Sequence, residues 1–169
     1  MEIPYLDLKK IHSNIQNQLD DAYHRVTNRQ WFIDGEEGKK FETKFATYCG
    51  AKACVGTGNG LDAIRMILLA YGIGPGDEVI VPANTFIATV LAITYVGATP
   101  VFVDADIDTY NIDLNKIEQK ITNRTKAIIV VHLYGRAVDC ATVCEIARKH
   151  SIKVIEDSAQ AHGAEIDGV

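Results

Sequence analysis

The chain has 169 residues, of which 47% are hydrophobic and 23% charged, and its formal net charge is -5. This length allows one sizeable core but not two comfortable domains. The acidic balance without a basic stripe argues against nucleic acid as a partner, and no apolar run or leader predicts a membrane or secreted protein, so we expect a cytoplasmic one. The four cysteines lack metal-finger spacing, so we expect reduced thiols and no metal site.

Two helices are predicted near the start of the chain. From Ile11 to Val26, apolar side chains recur at intervals of three and four residues, which is typical of an amphipathic arm helix. A second helix is predicted from about Glu36 to Cys49, with Gly50 as its stop signal. Between them, Trp31-Phe32-Ile33 precedes a turn at Gly35. These apolar residues either pack in a core or line a pocket or a subunit interface.

A glycine-rich turn comes next. Ala53 to Val55 form a predicted short apolar strand, and Gly56, Gly58 and Gly60 lead from it into a helix that begins near Gly60. Glycine allows a tight turn and the close approach of a ligand, and the first amides of a helix attract anions. The stretch therefore predicts a phosphate site, or else a loop that uses glycine only for its geometry.

Strands and helices alternate after this turn. The predicted strands are Glu78 to Pro82, Thr99 to Val103, Ala127 to Val131 and Lys153 to Ile155; the predicted helices are Gly60 to Tyr71, Thr85 to Val96, Leu114 to Ile121 and Val138 to His150. This alternation predicts an α/β fold, with a mostly parallel sheet and helices on both faces. Ligands of such sheets bind beyond the carboxyl ends of the strands.

Two further groups at the strand ends have chemistry that complements a phosphate site. Phe86 follows the strand that ends at Pro82, and Asp157 follows the last predicted strand. A phosphate site, an aromatic face and a carboxylate match pyridoxal 5'-phosphate, whose ring stacks and whose pyridine nitrogen is kept protonated by an acid. Simpler alternatives stay open: Phe86 as a core residue, Asp157 as a cap for Ser158 to His162, and His132 and His162 as ordinary, partly buried histidines.

A dinucleotide-binding turn is the main competing interpretation. Gly56-Thr57-Gly58 after a strand matches the start of that fingerprint. Its third glycine, however, would fall at Leu61, and Pro82-Ala83-Asn84 stands where the ribose-binding acid belongs. Both departures disfavour this interpretation.

Several motifs together resemble those of one known family. They are Gly58-Asn59-Gly60-Leu61-Asp62-Ala63, Pro82-Ala83-Asn84-Thr85-Phe86-Ile87-Ala88-Thr89 and Val154-Ile155-Glu156-Asp157-Ser158-Ala159-Gln160-Ala161-His162-Gly163, with the opening Ile3-Pro4-Tyr5-Leu6-Asp7-Leu8 and the loop Trp31-Phe32-Ile33-Asp34-Gly35. Over practically its whole length, the chain resembles the DegT/DnrJ/StrS family of pyridoxal-phosphate-dependent sugar-nucleotide aminotransferases. The first motif is most similar to the branch that aminates carbon 3 of a dTDP-linked 3-keto-6-deoxyhexose.

The resemblance implies a set of cofactor-binding residues. They are Gly58, Asn59, Gly60, Phe86, Asp157 and Gln160. Asn59 and Gly60 would provide phosphate-binding amides, and Phe86 would stack on the cofactor ring. Asp157 would pair with the pyridine nitrogen, and Gln160 would approach the ring hydroxyl.

The resemblance also implies an architecture and a reaction. The architecture is an aspartate-aminotransferase-type large domain, a smaller carboxyl-terminal domain and an active site shared across a homodimer. The reaction transfers an amino group from L-glutamate to the cofactor and then to a nucleotide-linked keto-deoxy sugar.

A reactive lysine is missing from the pattern. The family keeps its Schiff-base lysine a few tens of residues beyond the position of Asp157, and that lysine position lies past Val169. Lys153 cannot match it, because it precedes Asp157. We therefore expect the amino-terminal portion of an enzyme, without a catalytic residue of its own and without the small domain. Residues 1–35 would form an arm helix and a pocket or interface loop, and residues 36–169 a partial cofactor-binding domain. The alternatives are a catalytically silent binding or assembly module, and a sugar dehydratase of the same fold with histidine in place of the lysine.

Overall fold

A four-stranded parallel sheet organises the carboxyl-terminal two thirds of the chain. The computed structural model describes residues 4–168; residues 1–3, with the start of the motif at Ile3, and residue 169 lie outside the described residues. The chain forms two compact units, the first ending at Gly56 and the second beginning at Thr57.

The described part of the first unit is helical. Its helices are α1 (Leu8–Ser13), α2 (Gln16–Arg29) and α3 (Glu36–Tyr48). The single helix predicted from Ile11 to Val26 is wrong, because the structure has two helices there: α1 ends at Ser13 and α2 begins at Gln16. The structure confirms the second predicted helix, and Gly50 follows it with a φ of 63°, as a helix stop does.

The aromatic loop between α2 and α3 lies on the surface of the first unit. Trp31, Phe32 and Ile33 are 57%, 68% and 84% exposed. The Lys39 ammonium lies 5.8 Å from the centre of the Trp31 ring. Core packing of this loop is therefore wrong for the described chain, and the pocket or interface alternative stays a prediction.

The prediction of a short strand at Ala53 to Val55 is also wrong. A strand needs a neighbour to pair with, and none of the four strands in the described residues pairs with this segment. The side chain of Val55 is 76% exposed, so no apolar burial holds the segment in place either.

The second unit alternates helices and strands as predicted. It contains α4 (Gly60–Ala70), β1 (Glu78–Pro82), α5 (Ile87–Tyr95), β2 (Thr99–Val103), α6 (Leu114–Ile117), β3 (Thr125–Val131), α7 (Cys140–His150) and β4 (Lys153–Asp157). The strand order is β2-β1-β3-β4, and every pair is parallel. Short 3-10 turns follow α6 and β3. The predicted α/β fold is thereby confirmed.

Helices cover both faces of the sheet. Alternate residues of a strand point to opposite faces, so Val79 and Val81 of β1 pack in one cluster, with α4 and α5, while Ile80 packs in another, with α6 and α7. Each fully buried aliphatic side chain of this kind contributes about 1.5–3 kcal/mol. Within residues 4–168, no helix has both the length and the apolar character that a membrane span requires.

Candidate functional site

A cavity of about 510 Å³ lies beyond the carboxyl ends of the central strands. The starts of α4 and α5 and the ends of β3 and β4 form its wall. The predicted cofactor-binding residues that line it are Asn59, Gly60, Phe86, Asp157 and Gln160. Gly58 is not among the lining residues, and its role stays a prediction. The fold thus brings together groups that are about 100 positions apart in the chain.

Asn59 organises the amino-terminal end of α4. Its Oδ1 accepts the N–H of Asp62 and its Nδ2 donates to the Asp62 carboxylate, both at 2.9 Å, while the Thr57 hydroxyl donates to the Asn59 carbonyl. The N–H groups of Gly60 and Leu61 stand in the first turn, where a helix offers them no acceptor. This end of α4 therefore has the donors and the positive dipole that bind anions, although a ligand would share the dipole with the Asp62 carboxylate.

The glycines of the turn act differently from the expectation that they permit a tight backbone turn. Gly58 and Gly60 both lie outside the positive-φ region, so other residues could adopt their backbone conformations. At Gly60, which lines the cavity, an added Cβ would meet no atom within 4 Å. The open space beside this backbone fits the close approach of a ligand.

Phe86 lies at the amino-terminal end of α5. It is the amino-terminal cap of that helix, with an extended backbone, and its side chain is 72% exposed. The core alternative for Phe86 is therefore wrong for the described chain. An aromatic face at a cavity wall can stack against a flat ligand ring.

Asp157, the last residue of β4, holds its carboxylate against α5. Its Oδ2 accepts the hydroxyl of Thr89 at 2.9 Å, and the Thr89 oxygen lies 3.0 Å from that of Thr85. Oδ1 accepts the N–H of Ala159 at 3.3 Å. The described chain has no helix after β4, so Asp157 closes a tight turn instead of capping one.

Gln160 is fixed by the loop that follows β3. Its Oε1 accepts the backbone N–H of Tyr134 at 2.7 Å. Tyr134 has a φ of 57°, in the left-handed region that few non-glycine residues occupy. Because Oε1 is the acceptor in this bond, the Gln160 Nε2 is the amide group that can donate to a ligand.

Thr85 and Thr89 are site residues without an assigned role in the sequence analysis. Both line the cavity, and Thr89 is only 1% exposed. Their spacing of four residues at the start of a predicted helix was a usable signal, because such positions share one face. Nothing in the local sequence showed that this face would meet Asp157.

A second polar cluster lies on the other face of the sheet. Nε2 of the buried His132 lies 3.0 Å from the Glu156 carboxylate, and its Nδ1 accepts the Val138 N–H at 2.9 Å. Bonding to His132 holds the pKa of Glu156 below its ordinary value. Burial, with the Glu156 charge, raises the pKa of the Cys140 thiol to about 12. The thiol therefore stays protonated and is a weak nucleophile.

The ligand atoms of His132, Cys140 and Glu156 lie within 4.8 Å of one another, which is a composition that metals can use. The bond from Val138 to Nδ1, however, assigns the ring proton to Nε2, so an N–H and not a lone pair faces Glu156. The cluster instead fastens the loop after β3 to the end of β4. His132 is buried as one alternative had it, whereas His162 is exposed.

Comparison with known proteins defines the family of the chain. The model of the DegT/DnrJ/EryC1/StrS aminotransferase family matches residues 13–169. The chain belongs to this aminotransferase family. It is 58% identical, over 166 residues, to dTDP-3-amino-3,6-dideoxy-alpha-D-galactopyranose transaminase of Aneurinibacillus thermoaerophilus, covering 98% of this chain and 46% of that relative.

Solved structures share the fold of this chain. One is S. venezuelae DesV in complex with a ketimine intermediate, at a TM-score of 0.93 and 43% identity, covering 95% of this chain and 43% of that one. Another is NtdA from Bacillus subtilis with bound cofactor PMP, at a TM-score of 0.91 and 37% identity, covering 96% and 38%. The chain thus spans less than half the length of these family members.

Proposed function

We propose that this chain is the cofactor-binding part of a pyridoxal 5'-phosphate-dependent aminotransferase that moves an amino group from L-glutamate to a nucleotide-linked keto-deoxy sugar. The observation that carries the proposal is the meeting of Asn59, Gly60, Phe86, Asp157 and Gln160 around one cavity. Family membership alone would be compatible with a decayed site, whereas this convergence keeps the complementary groups together.

The residues present fit the cofactor. The amides at the start of α4, beside the open space at Gly60, would hold its phosphate, and Gly58 would contribute to the same turn. Phe86 would stack on its ring. Asp157 would keep a proton on the ring nitrogen, and Nε2 of Gln160 would donate to the ring hydroxyl. When bound, the cofactor supplies an electron sink for the bonds around the transferred nitrogen.

The reactive lysine is proposed to come from outside the cavity wall described here. Lys153 stands at the opposite end of β4 from Asp157, so about 13 Å of strand separates their backbones. Its ammonium lies 5.5 Å from the centre of the Tyr71 ring. Lys153 is therefore not a candidate for the reacting amine.

The names of the relatives support a proposal for the sugar substrate. A 58% identical relative is named for a dTDP-3-amino-3,6-dideoxy sugar and a 43% identical one for a dTDP-3-amino-3,4,6-trideoxy sugar. Another, also 43% identical, is named for a UDP-linked 3-oxo sugar. We propose a dTDP-linked 3-keto-6-deoxyhexose as the amino acceptor. We also propose that the complete protein is a homodimer, in which the second subunit covers the exposed apolar side chains of Trp31, Phe32 and Ile33.

Titration of the full chain with pyridoxal 5'-phosphate, followed by cofactor absorbance, tests the proposal. We expect saturable binding that Asp157→Asn and Phe86→Ala each weaken about tenfold or more. Phe102→Ala is the matched control, because Phe102 is a half-exposed aromatic on β2 that does not line the cavity. Binding that neither cavity variant changes would contradict the proposal.

A further inference from the structure

We propose that Thr89, supported by Thr85, is a positioning residue that fixes the orientation of the Asp157 carboxylate toward a ring nitrogen in the cavity. The inference rests on the proposed cofactor function. It concerns a residue of α5 that is 68 positions from Asp157 in the chain.

The hydrogen bonds of this group have a defined direction. A carboxylate only accepts, so the Thr89 hydroxyl donates its single proton to Oδ2 of Asp157. Thr89 then has no proton left for Thr85, and the 3.0 Å contact between their oxygens must be a donation from Thr85. The order is therefore Thr85 to Thr89 to Asp157.

Burial makes this arrangement costly to disturb. Thr89 is 1% exposed, and no buried side-chain nitrogen or oxygen in the described residues lacks a hydrogen-bond partner. Without the Thr89 hydroxyl, the Asp157 carboxylate loses its bond at Oδ2 and keeps the longer one from the Ala159 N–H at Oδ1. A carboxylate held by one bond at one oxygen is less well oriented than one held at both.

Thr89 also links the carboxylate to the aromatic side of the cavity. Its N–H donates to the carbonyl of Phe86 at 3.1 Å, within the first turn of α5. Thr85 precedes Phe86 and lines the same cavity. One short segment thus sets the place of the aromatic face and the orientation of the acid.

A purely structural role for Thr89 is the competing explanation, and ligand choice separates the two. The probes are pyridoxal 5'-phosphate and its 1-deaza analogue, in which a C–H group replaces the ring nitrogen. The variants in the full chain are Thr89→Val, which keeps the shape, Thr89→Ser, which keeps the hydroxyl, and Thr85→Val. Thr94→Val is the matched control, because the Thr94 hydroxyl bonds to a carbonyl of α5 itself, on an exposed side of the helix.

We expect Thr89→Val to weaken binding of pyridoxal 5'-phosphate about tenfold and Thr85→Val about threefold, with Thr89→Ser and Thr94→Val within about twofold of the parent chain. Binding of the 1-deaza analogue should not change in any of these variants. If Thr89→Val does not fold, the comparison of the two probes on Thr85→Val decides.

Two results would overturn the inference: unchanged binding of the cofactor to Thr89→Val, or an equal loss for both probes, which would show a structural role. Failure of the proposed function looks different. In that case the parent chain does not bind pyridoxal 5'-phosphate, or Asp157→Asn binds it as well as the parent does.

Discussion

Glu156 and Asp157 are adjacent at the end of β4, yet the protein treats their carboxylates differently. Period-two alternation sends them to opposite faces of the sheet. Glu156 bonds to the buried His132 and to the Cys140 thiol, so both of these partners are protein groups. Asp157 receives the Thr89 hydroxyl and lines a cavity beside an exposed aromatic ring.

One dipeptide thus bonds to a buried histidine on one face of the sheet and, in the proposed function, faces a ligand on the other. A carboxylate bonded to a buried histidine strengthens the junction between β3 and β4. The Asp157 carboxylate, which accepts the Thr89 hydroxyl and the Ala159 N–H at a cavity wall, keeps lone pairs for a ligand. Breaking each side should therefore have different consequences.

The largest expected effect is the protection of Cys140. A thiol with a pKa of about 12 is about a thousandfold less ionised at pH 8 than an ordinary thiol, and the thiolate is the reactive form. We expect iodoacetamide to label Cys140 about a hundredfold or more slowly in the folded chain than in urea, as measured by peptide mass spectrometry. The exposed Cys49 is the internal control and should change far less. Equal protection of both thiols would contradict the raised pKa of the Cys140 thiol.

Removal of His132 should be the next largest effect. His132→Ala leaves the buried Val138 N–H without its acceptor and removes the histidine donor from Glu156, so we expect a loss of about 2–3 kcal/mol in the free energy of unfolding. Urea unfolding measures it. His150→Ala is the control, since it breaks a more exposed pair with Glu118 and should cost about 1 kcal/mol or less. Equal losses would remove the special role of the buried histidine.

Amide substitution of each acid in turn separates the roles of Glu156 and Asp157. Asp157→Asn should weaken binding of pyridoxal 5'-phosphate about tenfold, because a charge-assisted bond to the ring nitrogen is lost. Glu156→Gln should leave that affinity within about twofold. Isothermal titration of both variants measures the difference. A comparable loss of affinity in both would contradict the claim that only Asp157 of the two acids contributes to cofactor binding.

The smallest expected effect is a pH dependence on the Glu156 face. Bonding to His132 lowers the pKa of Glu156 below its ordinary value of 4.5, so its stabilisation is present above that pH and is lost as the pH falls through the folded-state pKa. In urea unfolding series from about pH 7 to pH 3.5, the advantage of the parent chain over Glu156→Gln should shrink at the acidic end. If the stability advantage of the parent chain stays constant with pH, it does not come from the charge of Glu156.

Much of the fold could be predicted because its signals are local. Apolar runs bounded by turn residues set β1 and β2 at Glu78–Pro82 and Thr99–Val103, and the structure has the same bounds. Motif resemblance supplied the cavity residues Asn59, Gly60, Phe86, Asp157 and Gln160, which meet as expected, while their roles stay predictions.

The features that the sequence did not reveal depend on tertiary contact or on competing local bonds. Thr89 sits in a largely apolar helix, and nothing near it indicates a partner 68 positions away. The break after Ser13 interrupts an apolar pattern that runs on through both helices, so periodicity cannot detect it. The missing strand at Ala53 to Val55 shows that an apolar run needs a pairing partner as well as a suitable composition.

Tyr134 has a backbone conformation that costs about 1 kcal/mol or more for a residue with a side chain, and its N–H holds the Gln160 amide. Glycine at this position would relieve that strain in the native state while loosening the loop. At this turn, stability and preorganisation therefore oppose each other. A variant with a less strained backbone at position 134 would hold the Gln160 amide less firmly in its orientation toward the cavity.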